Sequence, residues 1–421
     1  MFKAISNAWK IPELRKKIIF TLLILLVYRV GCYIPVPGVD VTFIRETVGT
    51  YSILGFLNMF SGGALENMTL FALGITPYIN ASIIMNLLCV AIPALERISK
   101  GEDGAKKIQN ITRYVGIGLG LVQAIAIILG MGGDAVPSGS VFDYITIILC
   151  LTAGAAVVMW LGEKINDNGI GNGISLVIFI SIISRIPTTV ITLIANVSAG
   201  AVGWWAIPAL IAFVLIILFA ITYVDMGERR IPVQYAKKVV GRKMYGGQST
   251  YIPMKVNQSG VMPLIFASTF LQFPAVIAQF WGPDSGFYVW WNRAMAPGSV
   301  WYMLILLLLI FFFAYFYSQI AFNPIEVSKN MQQSGGFLPG IRPGKPTSDY
   351  LAKVLSRVTM FGAIFLAIVA AVPTLLTQFT SVSAFSAFGS SSVLIMVSVA
   401  LETSKALESQ IMMRHYKGFL K

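Results

Sequence analysis

The sequence predicts an all-α, polytopic membrane protein with ten transmembrane helices in two inverted five-helix halves. Three observations carry that expectation. The 421 residues are 56% hydrophobic and only 12% charged, about half the charged fraction of an ordinary soluble domain, and the mean hydropathy is +0.77. Ten stretches approach the roughly 20 apolar residues that a bilayer core requires. The net charge is nevertheless +13, from 31 Lys plus Arg against 18 Asp plus Glu, and its cations fall on alternate connections between the spans. An oily and basic chain of this kind is not disordered. It also fits poorly with a nucleic-acid-binding domain, whose cations coat a folded soluble surface.

The expected spans lie near 18–34, 70–95, 114–131, 141–161, 173–195, 204–224, 260–281, 301–321, 354–376 and 385–404. Lys3, Lys10, Arg15, Lys16 and Lys17 precede the first. It reads as a retained span, because Tyr33-Ile-Pro-Val-Pro-Gly follows it where a signal peptide would carry a small-residue cleavage site. An even number of spans leaves both termini on one side. That side collects 26 basic residues, and the other only Arg45, Arg293 and Arg185, so both termini are expected in the cytoplasm.

Ten spans divide into five and five, and an odd number per half turns the second upside down relative to the first. The expected organisation is a cytoplasmic segment 1–17, a half at 18–195, a half at 204–404 and a cytoplasmic tail 405–421. The long connection 35–69 follows the first span of one half and is external. The long connection 225–259 follows the first span of the other and is cytoplasmic, as is 322–353. Pseudo-symmetry then makes the second and seventh spans equivalent, and a cleft lined by both is expected. Within the external connection, residues 53–63 are apolar but too short to cross, and Gly62-Gly63 breaks the run. Such a stretch is either a surface-lying helix or a re-entrant piece tucked into protein.

Little in the chain points to catalysis. Cys32, Cys89 and Cys150 lie in apolar runs and read as small buried hydrophobes. With His415 as the one histidine, there is little to build a metal site or a nucleophilic triad. No phosphate-binding GxxxxGK[ST] is present. No cofactor is expected and no enzymatic role. Gly169-Ile-Gly-Asn-Gly173 reads as a tight turn opening the fifth span. Arg29 and Arg185 are the only plausible deep charges, read as snorkelling or paired near an interface. The loop 225–259 mixes Arg229, Arg230, Arg242 and Lys243 with tyrosines, and two Pro-Gly steps bracket Arg342. Both loops exceed what a turn needs and read as docking surfaces. An inverted-repeat secondary transporter of a small solute is the alternative, but it calls for a mid-membrane polar site. A membrane-embedded enzyme would need paired catalytic groups at depth, and none is visible.

Several runs together resemble the SecY family, the channel subunits of bacterial protein translocases. They are Phe60-Ser-Gly-Gly-Ala-Leu-Glu, Phe71-Ala-Leu-Gly-Ile-Thr-Pro-Tyr-Ile, Gly169-Ile-Gly-Asn-Gly-Ile-Ser, Arg229-Arg-Ile-Pro-Val-Gln-Tyr-Ala-Lys, Gln248-Ser-Thr-Tyr-Ile-Pro-Met-Lys-Val-Asn and Phe337-Leu-Pro-Gly-Ile-Arg-Pro-Gly. The resemblance covers the whole chain. It implies a pore between the halves that passes unfolded secretory polypeptides across the bacterial plasma membrane, with a lateral gate that releases apolar segments into lipid. The implied pore ring is Ile75, Ile79, Ile174, Ile178, Ile265 and Ile395. The implied plug is the 53–63 segment with Leu54, Phe56, Leu57, Met59 and Phe60, which favours its re-entrant reading. The implied gate positions are Asn80 and Phe273, with Gln123 and Gln272 as polar neighbours. Arg229, Arg230, Arg242, Lys243 and Arg342 would dock a SecA ATPase or the ribosome. The other implied partners are SecE-like and SecG-like small membrane subunits, signal-bearing preproteins, membrane lipids and a YidC-like insertase. An aliphatic ring suits such a task, because it dewets when empty and offers a passing chain no fixed hydrogen-bond pattern.

Overall fold

The computed structural model describes residues 8–50, 58, 61–101, 103–131, 136–137, 139–235, 238–240, 243–245, 249–279, 285–295, 299–380 and 390–418. The chain is mostly helical. The elements, in order, are α1 (Pro12–Gly31), α2 (Val41–Thr50), α3 (Thr76–Ala91), α4 (Pro93–Lys100), α5 (Gly104–Met131), α6 (Val141–Asn168), α7 (Gly173–Ile183), α8 (Ile186–Ser198) and α9 (Ala206–Met226). Strands β1 (Glu228–Tyr235), β2 (Lys238–Val240), β3 (Lys243–Tyr245) and β4 (Ser249–Lys255) follow. The chain then continues through α10 (Met262–Gln279), α11 (Gly286–Ala294), α12 (Val300–Ala321), α13 (Pro324–Gln333), β5 (Gly336–Phe337), α14 (Lys345–Thr380) and α15 (Ser390–Gly418).

Among the described residues six helices are long and apolar enough to cross a membrane, or seven if the bent α3–α4 pair counts as one. The chain is a multi-pass membrane protein. The second expected span is the one that departs most from its reading. Residues 70–75 form turns, and the helix begins only at Thr76. It then bends by 107° before α4. Pro93 explains the bend: it forces Ile92 into extended backbone (φ −109°, ψ 111°), so the helix cannot continue. The fifth span, Gly173–Ser198, crosses as one, with a short interruption between Ile183 and Ile186 and Pro187 in the first turn of α8. The expectation named no strands, yet within the 225–259 connection β1 and β4 pair antiparallel, a small sheet on a chain that is otherwise mostly helical. β1 pairs with β4 from Glu228↔Lys255 to Gln234↔Ser249 and with β5 at Gln234 and Tyr235. Proline is tolerated at Pro232 because β5 covers β1 only beyond it, leaving an edge there.

The chain divides into two compact units. One comprises Met1–Gly203, Thr269–Tyr302 and Val399–Lys421, the other Trp204–Ser268 and Met303–Ser398. In the first unit, Ile44, Leu65, Met68, Leu73, Ile127 and Leu151 share one buried core. The Tyr28 and Ser181 hydroxyls, 2.7 Å apart, tie α1 to α7. Asp40 caps α2 by accepting from the Thr42 and Phe43 amides. The Thr42 hydroxyl bonded to its carboxylate holds the Asp40 carboxyl below the ordinary range. The turn at 61–75 lies directly on α6, where a methyl group at Gly154 would collide with the Leu70 carbonyl. The Leu70 carbonyl is backbone, so it cannot give way cheaply. Gly154→Ala should therefore destabilise the chain by about 1–3 kcal/mol, read as a lower unfolding temperature in detergent. An unchanged temperature would show that the turn moves aside.

Candidate functional site

The isoleucines of the first unit that the resemblance assigns to a ring are placed by helix starts. Pro77 opens α3, so Ile75 stands at its N-cap and Ile79 one turn in. Gly171 supplies a left-handed turn (φ +77°) before α7. The Asn172 side chain then caps α7, accepting from the Ile174 and Ser175 amides at 3.1 and 3.4 Å. The Gly169–Gly173 turn is thus the device that orients Ile174. Ile174 and Ile75 both lie beside Gly162 on α6, where a Cβ would stand 3.4 Å from Ile174 Cγ1 and 3.7 Å from Ile75 Cδ1, ordinary contact distances. Ile75, Ile79 and Ile178 are buried, and Ile174 is half-buried. In the second unit Ile265 on α10 and Ile395 on α15 are buried, at 6% and 1% exposure.

The polar positions are in an unusual state. Asn80 Oδ1 on α3 and Gln123 Oε1 on α5 are buried and find no donor among the described residues. Buried amide oxygens are nearly always paired, so two orphans on adjacent helices call for more than packing to explain them. Gln272 and Phe273 belong to α10, and their side chains lie outside the described residues.

The plug positions Leu54, Phe56, Leu57, Met59 and Phe60 also lie outside the described residues. Asn58, within the same segment, is described and buried. It donates to Glu66 Oε2 at 2.6 Å, and its Oδ1 accepts the Glu66 amide at 3.2 Å. Arg185 pairs with the same carboxylate oxygen at 3.1 Å. Arg29 Nη1 lies 3.5 Å from the Gly62 carbonyl oxygen, with its guanidinium over the Tyr33 ring. Both deep arginines of the first half therefore end on the segment that follows Asn58.

The basic loops of the second unit form a single platform. Ile231 and Val233 of β1, Met254 of β4, Met331 of α13, Leu338, and Leu351 and Leu355 of α14 share one core. Arg229 and Arg230 are exposed on that hairpin. Arg230 stacks over the Tyr251 ring at 4.9 Å and donates to Glu228 at 2.7 Å, which holds it extended from the sheet. Arg342 is exposed on a turn between Gly340 (φ +79°) and Gly344 (φ +95°). The Ser328 hydroxyl bonds the Gly344 carbonyl, fastening that turn to α13. Arg242 lies outside the described residues; Lys243 begins β3, and its side chain is not described.

Two polar features escaped the sequence reading. Arg113 and Glu163 form a two-pronged pair between α5 and α6. Asp225 joins Asn257 and Ser398 in the second unit. Their partners are far apart in the chain, and no spacing rule reveals them.

Six helices of spanning length and apolarity among the described residues, together with an ordered basic hairpin and turn, define a multi-pass membrane protein. The SecY family profile matches residues 69–404. The chain is 47% identical to the protein translocase subunit SecY of Streptomyces galbus, over the full length of both. Its fold resembles a solved structure described as a protein conducting channel, with a TM-score of 0.67 at 19% identity, covering 94% of this chain and 92% of that one. It also resembles Sec61 in the canine ribosome-channel complex from the endoplasmic reticulum, with a TM-score of 0.64 at 19% identity and the same coverage. The chain belongs to the SecY family.

Proposed function

We propose that the chain is the channel-forming subunit of a bacterial protein translocase. It passes unfolded secretory polypeptides across the plasma membrane and releases apolar segments sideways into lipid. The observation that carries this reading is the full-length likeness to a translocase subunit; it does not favour a small-solute transporter. In this reading all ten apolar segments cross the membrane in two inverted halves, with both termini cytoplasmic. The crossings added to the six clear spans include α1, α10 and α15. Charges at the start of α1 and along the tail of α15 lower their hydropathy.

The six isoleucines line the conduit, where aliphatic walls exclude water and ions without gripping a passing chain. Segment 53–63 plugs it, and the contacts of Asn58 with Glu66 support a fixed base for that plug. Asn80, Gln123, Gln272 and Phe273 belong to the lateral gate. The orphaned oxygens of Asn80 and Gln123 support this, since a polar face kept unpaired at rest can be met by a signal sequence or water on opening. A central Leu or Ile in such a sequence gains about 0.3–0.6 kcal/mol by entering lipid. The platform bearing Arg229, Arg230, Arg242, Lys243 and Arg342 docks a SecA-like ATPase or the ribosome. SecE-like and SecG-like subunits complete the channel, and a YidC-like insertase accepts released segments.

The test is reconstitution with the small subunits in proteoliposomes. An unfolded signal-bearing preprotein should become protease-protected when the ATPase and ATP are supplied. Swelling in small solutes without preprotein import would sink the proposal. Arg342→Glu should cut motor-driven import about tenfold or more, as expected when the cation of a buried charge-assisted contact is reversed. Conductance of the motor-free channel should stay unchanged, and a parallel loss of conductance would place Arg342 in the fold instead.

A further inference from the structure

The last turn of a helix is a poor place for a carboxylate, because the helix dipole already puts negative charge there. Asp225 nevertheless stands one residue before α9 ends at Met226. Both its oxygens are engaged. Oδ1 accepts from Asn257 Nδ2 at 2.8 Å, and Oδ2 accepts from the Ser398 hydroxyl at 2.7 Å. Hydrogen bonds to an ionised group are the shorter and stronger class. A residue that breaks a local preference and is then held by two distant donors is where a function is to be sought.

The donors come from two different parts of the second unit. Asn257, 6% exposed, follows β4 at the root of the basic hairpin. The strand ladder runs right up to it, since the Val256 amide donates to the Gly227 carbonyl at 2.9 Å. The Val256 carbonyl is pressed on α14, where a Cβ at Gly362 would stand 2.7 Å away. The hairpin root is therefore wedged, and a push on the hairpin reaches Asn257 and Gly227 together. Ser398 is on α15, three residues after Ile395 and on the same helix face. Asp225 is bonded to both of these parts.

We propose that Asp225, with Ser398 and Asn257, is a positioning device that couples a partner seated on the basic hairpin to the α15 segment bearing Ile395. This rests on the docking and ring assignments above. The hairpin, braced by α14, acts as the lever, and the carboxylate passes its displacement to α15. Nothing at Asp225 touches the translocating chain.

The experiment compares two variants of nearly equal shape at one position. Ser398→Thr keeps the hydroxyl, and Ser398→Val lacks it. Each is reconstituted with the small subunits and supplied with the SecA-like ATPase, ATP and a signal-bearing preprotein. Motor binding should match the wild type in both. Import per bound motor should be retained in the Thr variant and fall about fivefold or more in the Val variant, the lower end of coupling between linked sites. Asp225→Asn should also lower import at unchanged motor binding, with an unfolding temperature near that of the wild type. Equal import by the Thr and Val variants, with motor binding still abolished by Arg230→Glu, overturns the coupling and leaves the docking surface standing. Motor binding that survives Arg230→Glu overturns both.

Discussion

Arg113→Ala should cost the chain about 3–5 kcal/mol, the range for stranding one member of a buried ion pair, and Glu163→Ala should cost clearly less. The asymmetry follows from burial. Arg113 Nε and Nη2 meet the two Glu163 oxygens at 3.2 and 2.6 Å, the forked geometry that makes such pairs strong. The Glu163 side chain is 7% exposed and that of Arg113 is 40% exposed. Without Arg113 the carboxylate stays buried with its strongest partner gone, and the α5–α6 contact must open to hydrate it. Without Glu163 the arginine can swing outward and recover its hydration. Thermal or denaturant unfolding in detergent reads both variants, and the double variant closes the cycle. Equal losses, or a larger loss for Glu163→Ala, would mean that the pair is solvated in the membrane-embedded chain. The consequence is more than stability. Glu163 follows Gly162, which lies beside both Ile75 and Ile174, so the pair fixes the helix against which the two proposed ring side chains are set.

The sequence shows most readily what depends on long local runs. Apolar stretches revealed the helices, although Pro77, which opens α3, was read through and the span placed from residue 70. The Gly169–Gly173 turn was readable because glycine and asparagine have few other reasons to cluster. What stayed hidden depends on non-local pairing. Ile231 and Val233 alternate as a strand should, but Pro232 and Pro253 argue against strands unless the edge at β5 is known. Asp225 and Ser398 are 173 residues apart, and Arg113 and Glu163 are 50 apart. No periodicity links such pairs. The bend at Ile92 was legible in principle, since Pro93 restricts the residue before it. An apolar run of spanning length masked it. Of the proposed site residues, Ile75 and Ile174 both lie beside Gly162 on a third helix, a relation that their own i, i+4 spacings to Ile79 and Ile178 do not contain.

Substituting asparagine at Ile75 and Ile174 should raise the resting ion conductance of the reconstituted channel about tenfold for each site, the factor that a barrier lowered by about 1.4 kcal/mol produces. A constriction walled by isoleucine resists ions because water gains no hydrogen bonds there and leaves. An amide at the same place offers a donor and an acceptor, so water stays and an ion keeps part of its hydration shell. Ile75 is the sharper probe, being 2% exposed and held at a helix cap. Ile75→Leu and Ile174→Leu are the matched controls. They keep volume and polarity, cost less than about 1.5 kcal/mol, and should leave the seal intact. The same amides should also make import depend on the sequence of the passing chain, because fixed hydrogen-bonding groups hold polar segments longer than apolar ones. Asparagine variants that fold and import as the wild type does, and that show no rise in conductance, would remove Ile75 and Ile174 from the conduit. They would leave these residues as helix packing against Gly162.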